Sequence, residues 1–225
     1  MPEQTVPTTT TGTHAPFRLI ARLLSASERK RLTQALAAGR LRQREQIDIL
    51  SQERLPQLAM WSLVLLILSG CAFVVFGMIA ASLHRETLIN VSALTVVLLI
   101  ALNVLAYVVM IPLHEAVHAA VILALGGRPT FGLKWPLAAY CTAPGQLFTR
   151  NGYIAVAIAP LIVLSLVGVV ILWFAPEAGI CLIFGLAGNV SGAVGDLAVV
   201  KRMRRLPKSL LILDTETGYI AYEVE

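Results

Sequence analysis

The chain reads as an all-α polytopic membrane protein. About four transmembrane helices are expected, with a short β-like loop after the second and a C-terminal cytosolic β-hairpin. Three observations carry that expectation. The first is composition: 225 residues, 57% hydrophobic and only 14% charged, far from the balance of a soluble domain. The second is four apolar runs, about residues 58–82, 91–125, 153–175 and 178–200, each near or above the roughly 20 residues that cross a bilayer. The third is the placement of positive charge. Nine of the 18 Lys and Arg precede the first run, one (Arg85) lies between runs one and two, three between two and three, and five follow the fourth. Positive residues collect on the cytoplasmic side, so this split predicts a multi-pass integral membrane protein with both termini cytoplasmic.

The same distribution accounts for the net charge of +5 and argues against a nucleic-acid partner; the bilayer is the expected partner. Cys71, Cys141 and Cys181 are scattered and form no C-x-x-C pair, so neither a disulfide framework nor a thiolate metal cluster is indicated. No cleavable signal peptide is expected, because the first apolar run begins behind a long polar stretch.

The elements follow in order. Residues 1–57 are expected to be an N-terminal cytosolic region. Residues 1–16, rich in Thr and Pro, read as disordered, and 17–55 as a basic helical segment. That segment is either an amphipathic helix on the inner membrane surface or a solvated helical hairpin. Within it, Ser25 followed by Glu28 fits a capping box. Residues 58–200 form the membrane domain.

Its second run is 35 residues long, roughly 50 Å as a helix against a hydrocarbon core of about 30 Å. It must tilt, break or protrude, and Pro112 is the expected break. Asn103, Tyr107, His114 and His118 share one helical stripe, the first two reading as contacts to neighbouring helices. Between runs two and three, residues 126–152 combine Gly and Pro with Thr130, Phe131, Trp135, Tyr140 and Phe148. This is the chemistry of a short hairpin or re-entrant loop. The fourth run carries Gly185, Gly188, Gly192 and Gly195, a smooth stripe for close helix approach, with Asn189 and Asp196 two turns apart on a neighbouring face. Residues 201–225 read as a basic linker followed by strands at 210–214 and 219–224 around the turn 215–218.

The chemistry sits in span two, in His114-Glu115-Ala116-Val117-His118. Histidines four apart share one helix face, about 5–6 Å apart at Cβ. Both imidazoles can therefore reach one zinc ion, Zn2+, at about 2.0–2.1 Å, while Glu115 is placed to take a proton from a water there. Ionisable groups in hydrocarbon are costly, and three within five residues point to a site.

A catalytic zinc site wants a third protein ligand. His14 lies in the N-terminal tail and His84 in the outer loop. Of the thirteen acidic residues, only Glu115 and Asp196 fall well inside the spans. Asp196 is therefore the expected third ligand, against the alternative of a surface Asp paired with Lys201 or Arg202.

These residues carry a resemblance. An H-E-x-x-H in a membrane helix, then a Gly-rich strand-forming loop, then a later helix with Asn and Asp resembles the site-2 protease class of intramembrane zinc metalloproteases. Within it, the segment Gly188-Asn189-Val190-Ser191-Gly192-Ala193-Val194-Gly195-Asp196-Leu197 looks like the compact zincin peptidase group. The resemblance implies a zinc metalloprotease acting on membrane or membrane-proximal proteins, with His114, His118 and Asp196 as ligands and Glu115 as base. Asn189 would contact substrate. One departure stands out: better-known site-2 proteases carry Leu-Asp-Gly after Asn and Pro, where this chain has Gly195-Asp196-Leu197. The alternative is a catalytically silent membrane scaffold or binding protein that retains the motif.

Overall fold

The computed structural model describes residues 17–22, 24–84, 92–134 and 138–225. The expected disorder of 1–16, and the positions of His14, Arg85 and Trp135, lie outside the described residues. The chain runs β1 (Arg18–Leu19), α1 (Ala26–Ala37), β2 (Leu41–Asp48), α2 (Leu55–Leu83), α3 (Ala93–Ala124), β3 (Thr130–Lys134), β4 (Ala138–Thr142) and β5 (Gln146–Thr149). It continues with α4 (Arg150–Phe174), α5 (Pro176–Ile180), α6 (Ile183–Gly192), α7 (Val194–Met203), β6 (Leu211–Thr215) and β7 (Gly218–Val224).

Four helical stretches are long and apolar enough to cross a membrane: Leu55–Leu83, Ala93–Ala124, Arg150–Phe174 and Ile183–Met203. They turn large apolar side chains outward, with Leu68, Leu94, Val97 and Leu166 each at least 60% exposed. An apolar exterior of this extent fits lipid better than water. The inward contacts are close. Gly185 sits on the Ala106 backbone of α3, and Gly188 on the ring of Tyr107. Asn103 joins α3 to the far side of the bundle, giving its Nδ2–H to Ile180 O at 3.1 Å and taking the Phe184 N–H at 2.9 Å. Tyr107 stacks on Phe184 with centroids 5.0 Å apart. Both residues make the helix-to-helix contacts expected of them.

Two expectations about the spans need correction. Helix α3 runs unbroken through Pro112, so the proline does not end the helix. A proline costs a helix one N–H and some crowding, which tertiary packing can offset. The fourth apolar stretch is divided instead: α5, α6 and α7 are separate, and α6 passes to α7 at Ala193, flanked by the weak helix formers Gly192 and Gly195.

Helix α3 ends in a Schellman turn, with Gly127 N–H bonded to Ile122 O and Gly126 N–H to Leu123 O. The geometry demands a left-handed residue, and Gly126 supplies φ +88°. Arg22 Nη1 reaches the exposed Ala124 carbonyl at 2.9 Å. A cation there also meets the negative end of the helix dipole.

The segment 17–55 is strand–helix–strand rather than continuously helical. Ser25 caps α1 through the expected box: Glu28 N–H bonds Ser25 Oγ and Ser25 N–H bonds Glu28 Oε2. On either side of α1, β1 and β2 join a five-stranded sheet in the order β1-β5-β6-β7-β2. The C-terminal hairpin β6–β7 forms its middle, with Leu211 opposite Tyr222 and Thr215 opposite Gly218. Alternating residues on β5 and β6 face two cores. Leu147 and Leu211 pack with Leu32 of α1, while Phe148 and Ile212 pack with Val156 of α4 and Val199 and Met203 of α7. The sheet is thus a layer between α1 and the bundle. The separate hairpin β3–β4 pairs Thr130 with Thr142 and Lys134 with Ala138, as the turn chemistry of 126–152 predicts.

Candidate metal centre

Four elements meet at the H-E-x-x-H segment. Helix α3 presents His114 and His118 one turn apart, with ring centroids 4.9 Å from each other. Helix α7 brings Asp196, whose Oδ2 lies 3.1 Å from His114 Nε2 and 3.6 Å from His118 Nε2. Helices α4 and α6 supply the groups behind the imidazoles.

Those groups decide which ring nitrogens turn towards Asp196. His118 Nδ1 lies 2.9 Å from the Val156 carbonyl of α4. A carbonyl can only accept, so Nδ1 carries the proton, and Nε2 is the nitrogen turned towards Asp196. His114 Nδ1 lies 2.9 Å from Asn189 Oδ1, and Asn189 Nδ2 donates to Pro160 O at 3.4 Å. The Pro160 carbonyl fixes which way the Asn189 amide points, so His114 Nδ1 is also protonated, and its Nε2 faces Asp196 Oδ2 at 3.1 Å. This is the arrangement in which histidines bind metal with the second nitrogen held by a hydrogen bond.

The fit to zinc can be tested on distance. A tetrahedral ion with ligand bonds of about 2.0–2.1 Å separates its ligand atoms by about 3.3–3.4 Å. The two His–Asp separations, 3.1 and 3.6 Å, straddle that value. The potential ligand atoms of His114, Glu115 and His118 also lie within 4.8 Å of one another. Between the two acids, Asp196 is the better third ligand, because its Oδ2 sits at ligand-to-ligand spacing from both imidazoles. Two neutral imidazoles and one carboxylate suit zinc and leave a fourth position.

Glu115, His114, His118 and Asp196 line one pocket of about 230 Å³. Its wall is completed by Tyr140 and Cys141 of β4 and by the turn of the C-terminal hairpin, Asp214 to Gly218. The hairpin is held there by Asp214, which accepts from Tyr153 of α4 and from the Ala143 backbone N–H. Burial pushes the Asp214 carboxyl above its ordinary range against those hydrogen bonds.

Of the residues singled out in the sequence, the structure brings together His114, Glu115, His118 and Asp196. Asn189 joins them from behind. It is 2% exposed, with its amide set between His114 and the Pro160 carbonyl. Sequence reasoning missed Pro160, Val156, Tyr153 and Asp214. A proline within an apolar span was the visible signal for the first; the other three become meaningful only when α3, α4 and the hairpin meet.

A family model described as "Putative zincin peptidase" matches residues 107–211. That stretch holds the H-E-x-x-H segment, Asn189 and Asp196, and the likeness points to a metallopeptidase. No curated protein and no solved structure matches the chain.

Proposed function

We infer that the chain is a membrane-embedded zinc-dependent peptidase that hydrolyses peptide bonds of membrane or membrane-proximal proteins. The observation that carries this reading is the approach of two imidazole Nε2 atoms to one Asp196 carboxylate oxygen, at 3.1 and 3.6 Å, with a second carboxylate, Glu115, in the same pocket. His114, His118 and Asp196 are the ligands. Zinc, when bound, acidifies water and polarises a scissile carbonyl.

Glu115 is the general base. It takes a proton from the attacking water and returns it to the leaving amine. Tyr140 and Cys141 of β4 line the pocket, so an extended substrate segment has a strand edge to lie along. A substrate helix must unwind locally first, since a helical carbonyl is already hydrogen-bonded to its own chain. Both termini lie on the cytoplasmic side in this reading, as do Ile49, Leu50 and the hairpin turn that line the pocket.

The test compares purified wild type with Glu115→Ala and Asp196→Ala. Glu115→Ala should retain about one zinc and lose turnover of a membrane-protein substrate, whereas Asp196→Ala should lose the metal. Cleavage by Glu115→Ala would sink the mechanism, and full zinc occupancy of Asp196→Ala would remove the third ligand.

A further inference from the structure

We propose that Pro160 is a positioning residue that aims both metal-binding histidines, one through a hydrogen bond it cannot make and one through a hydrogen bond it accepts. The proposal rests on the reading of His114 and His118 as ligands.

The first half follows from helix geometry. In α4 the N–H of residue 160 would ordinarily bond the carbonyl of residue 156. Proline has no N–H, and its ring crowds that same carbonyl. The Val156 carbonyl is therefore released from the helix ladder. It is the one that meets His118 Nδ1 at 2.9 Å. Any other amino acid at 160 restores a competing donor four residues downstream of the carbonyl that fixes the His118 tautomer.

The second half uses the other side of the same residue. The Pro160 carbonyl accepts from Asn189 Nδ2 at 3.4 Å, and Asn189 Oδ1 faces His114 Nδ1 at 2.9 Å. Without that anchor nothing distinguishes the two ends of the Asn189 amide, and a flipped amide would offer His114 Nδ1 a donor. Pro160 and Asn189 are fully buried, so water is not at hand to replace the contact behind His114. A proline in the middle of a spanning helix is unfavourable as a helix former. Here it leaves a free carbonyl beside one histidine and an anchor behind the other.

Pro160→Ala separates this role from a structural one, because the two predict opposite effects. Alanine is the better helix former, so the metal-free variant should unfold at the same temperature or higher. Its zinc affinity, by chelator competition, should fall about 10–100-fold, the range seen when a hydrogen-bond partner of a ligating histidine is lost. Placing an ester-linked lactic acid residue at 160, which also lacks the N–H, should restore most of that affinity. Asn189→Ala should weaken zinc through His114 alone.

A nitrogen-15 spectrum of the metal-free proteins reads the frame directly. His118 Nδ1 should carry a hydrogen-bonded proton in wild type and lose that bond in part of the population in Pro160→Ala. Equal zinc affinity in wild type and Pro160→Ala overturns the proposal, as does a His118 Nδ1 signal that the substitution leaves unchanged. A wild type that takes up no zinc overturns the metal reading, while the Nδ1 signal still decides the hydrogen-bond frame.

Discussion

Tyr153 donates its phenolic O–H to Asp214 Oδ1 at 2.7 Å. The bond ties the C-terminal hairpin to α4, three residues before the carbonyl that holds His118. Tyr153→Phe removes the donor and leaves a buried carboxyl oxygen short of a partner, a loss of about 1–3 kcal/mol. Thermal unfolding in detergent should register it as a lower midpoint. An unchanged midpoint would mean that the Tyr153 bond adds nothing to what the strand pairing, the Ala143 N–H and the apolar face already hold.

Two carboxyl groups outside the spans should give stability opposite dependences on pH. Glu45 of β2 pairs with Arg202 of α7 and accepts from Tyr219 OH at 2.6 Å; the Arg202 guanidinium foremost holds its carboxyl below the usual range. Its contribution is present above the ordinary Glu value of about 4.3 and is lost as pH falls through the depressed value. Asp214 is held above its usual range by burial. Its contribution is full below about pH 3.9 and is lost as pH rises through the raised value. Unfolding midpoints against pH should therefore lose part of their acid limb in Glu45→Gln and part of their fall at higher pH in Asp214→Asn. Parallel curves for wild type and either variant would refute the corresponding assignment.

The bundle and the centre were legible because their signals are local. Apolar runs mark the long helices, H-E-x-x-H places two imidazoles one turn apart, and a lone Asp inside an apolar run needs a partner wherever the chain goes. Strand β2 was not legible. Its sequence, LRQREQID, has no apolar alternation, because it is an edge strand that half-buries only Leu41, Glu45 and Ile47. Its partner is β7, with Leu41 opposite Val224 and a bulge between Gln43 and Glu45. Pairing so distant in sequence leaves no local period to read. Pro160 was visible as a letter, but its use depends on α4 lying against His118.

Close approach of α6 to α3 should be graded by what an added methyl group meets. At Gly185 a Cβ would fall 2.8 Å from the Ala106 carbonyl oxygen, part of a helix backbone. At Gly188 it would meet the Tyr107 ring at 2.5 Å, and that side chain, 39% exposed, can swing away. Gly185→Ala should therefore cost about 1–3 kcal/mol and weaken zinc as well, because Asn189 lies one turn further along α6. Gly188→Ala should cost less. Unfolding midpoints that rank the pair the other way would mean that α3 and α6 separate easily.

Cys141 offers a reporter inside the pocket. Burial first, and then the Glu115 and Asp214 carboxylates, push its thiol up to about 12, against about 8.5 for a free thiol. Only the thiolate reacts with alkylating reagents. At pH 8 Cys141 should therefore label about 10³-fold more slowly than an ordinary cysteine, and detergent denaturation should abolish the difference. A background of Cys71→Ser and Cys181→Ser isolates the signal. In that background, with metal removed, Glu115→Gln takes away one of the two opposing charges and should speed labelling while leaving the thiol buried. Labelling of the native protein at the rate of a free thiol would show that Cys141 faces open water, and with it that β4 does not wall the pocket. Slow labelling that Glu115→Gln leaves untouched would instead assign the protection to burial alone and place the Glu115 carboxylate out of electrostatic reach of β4.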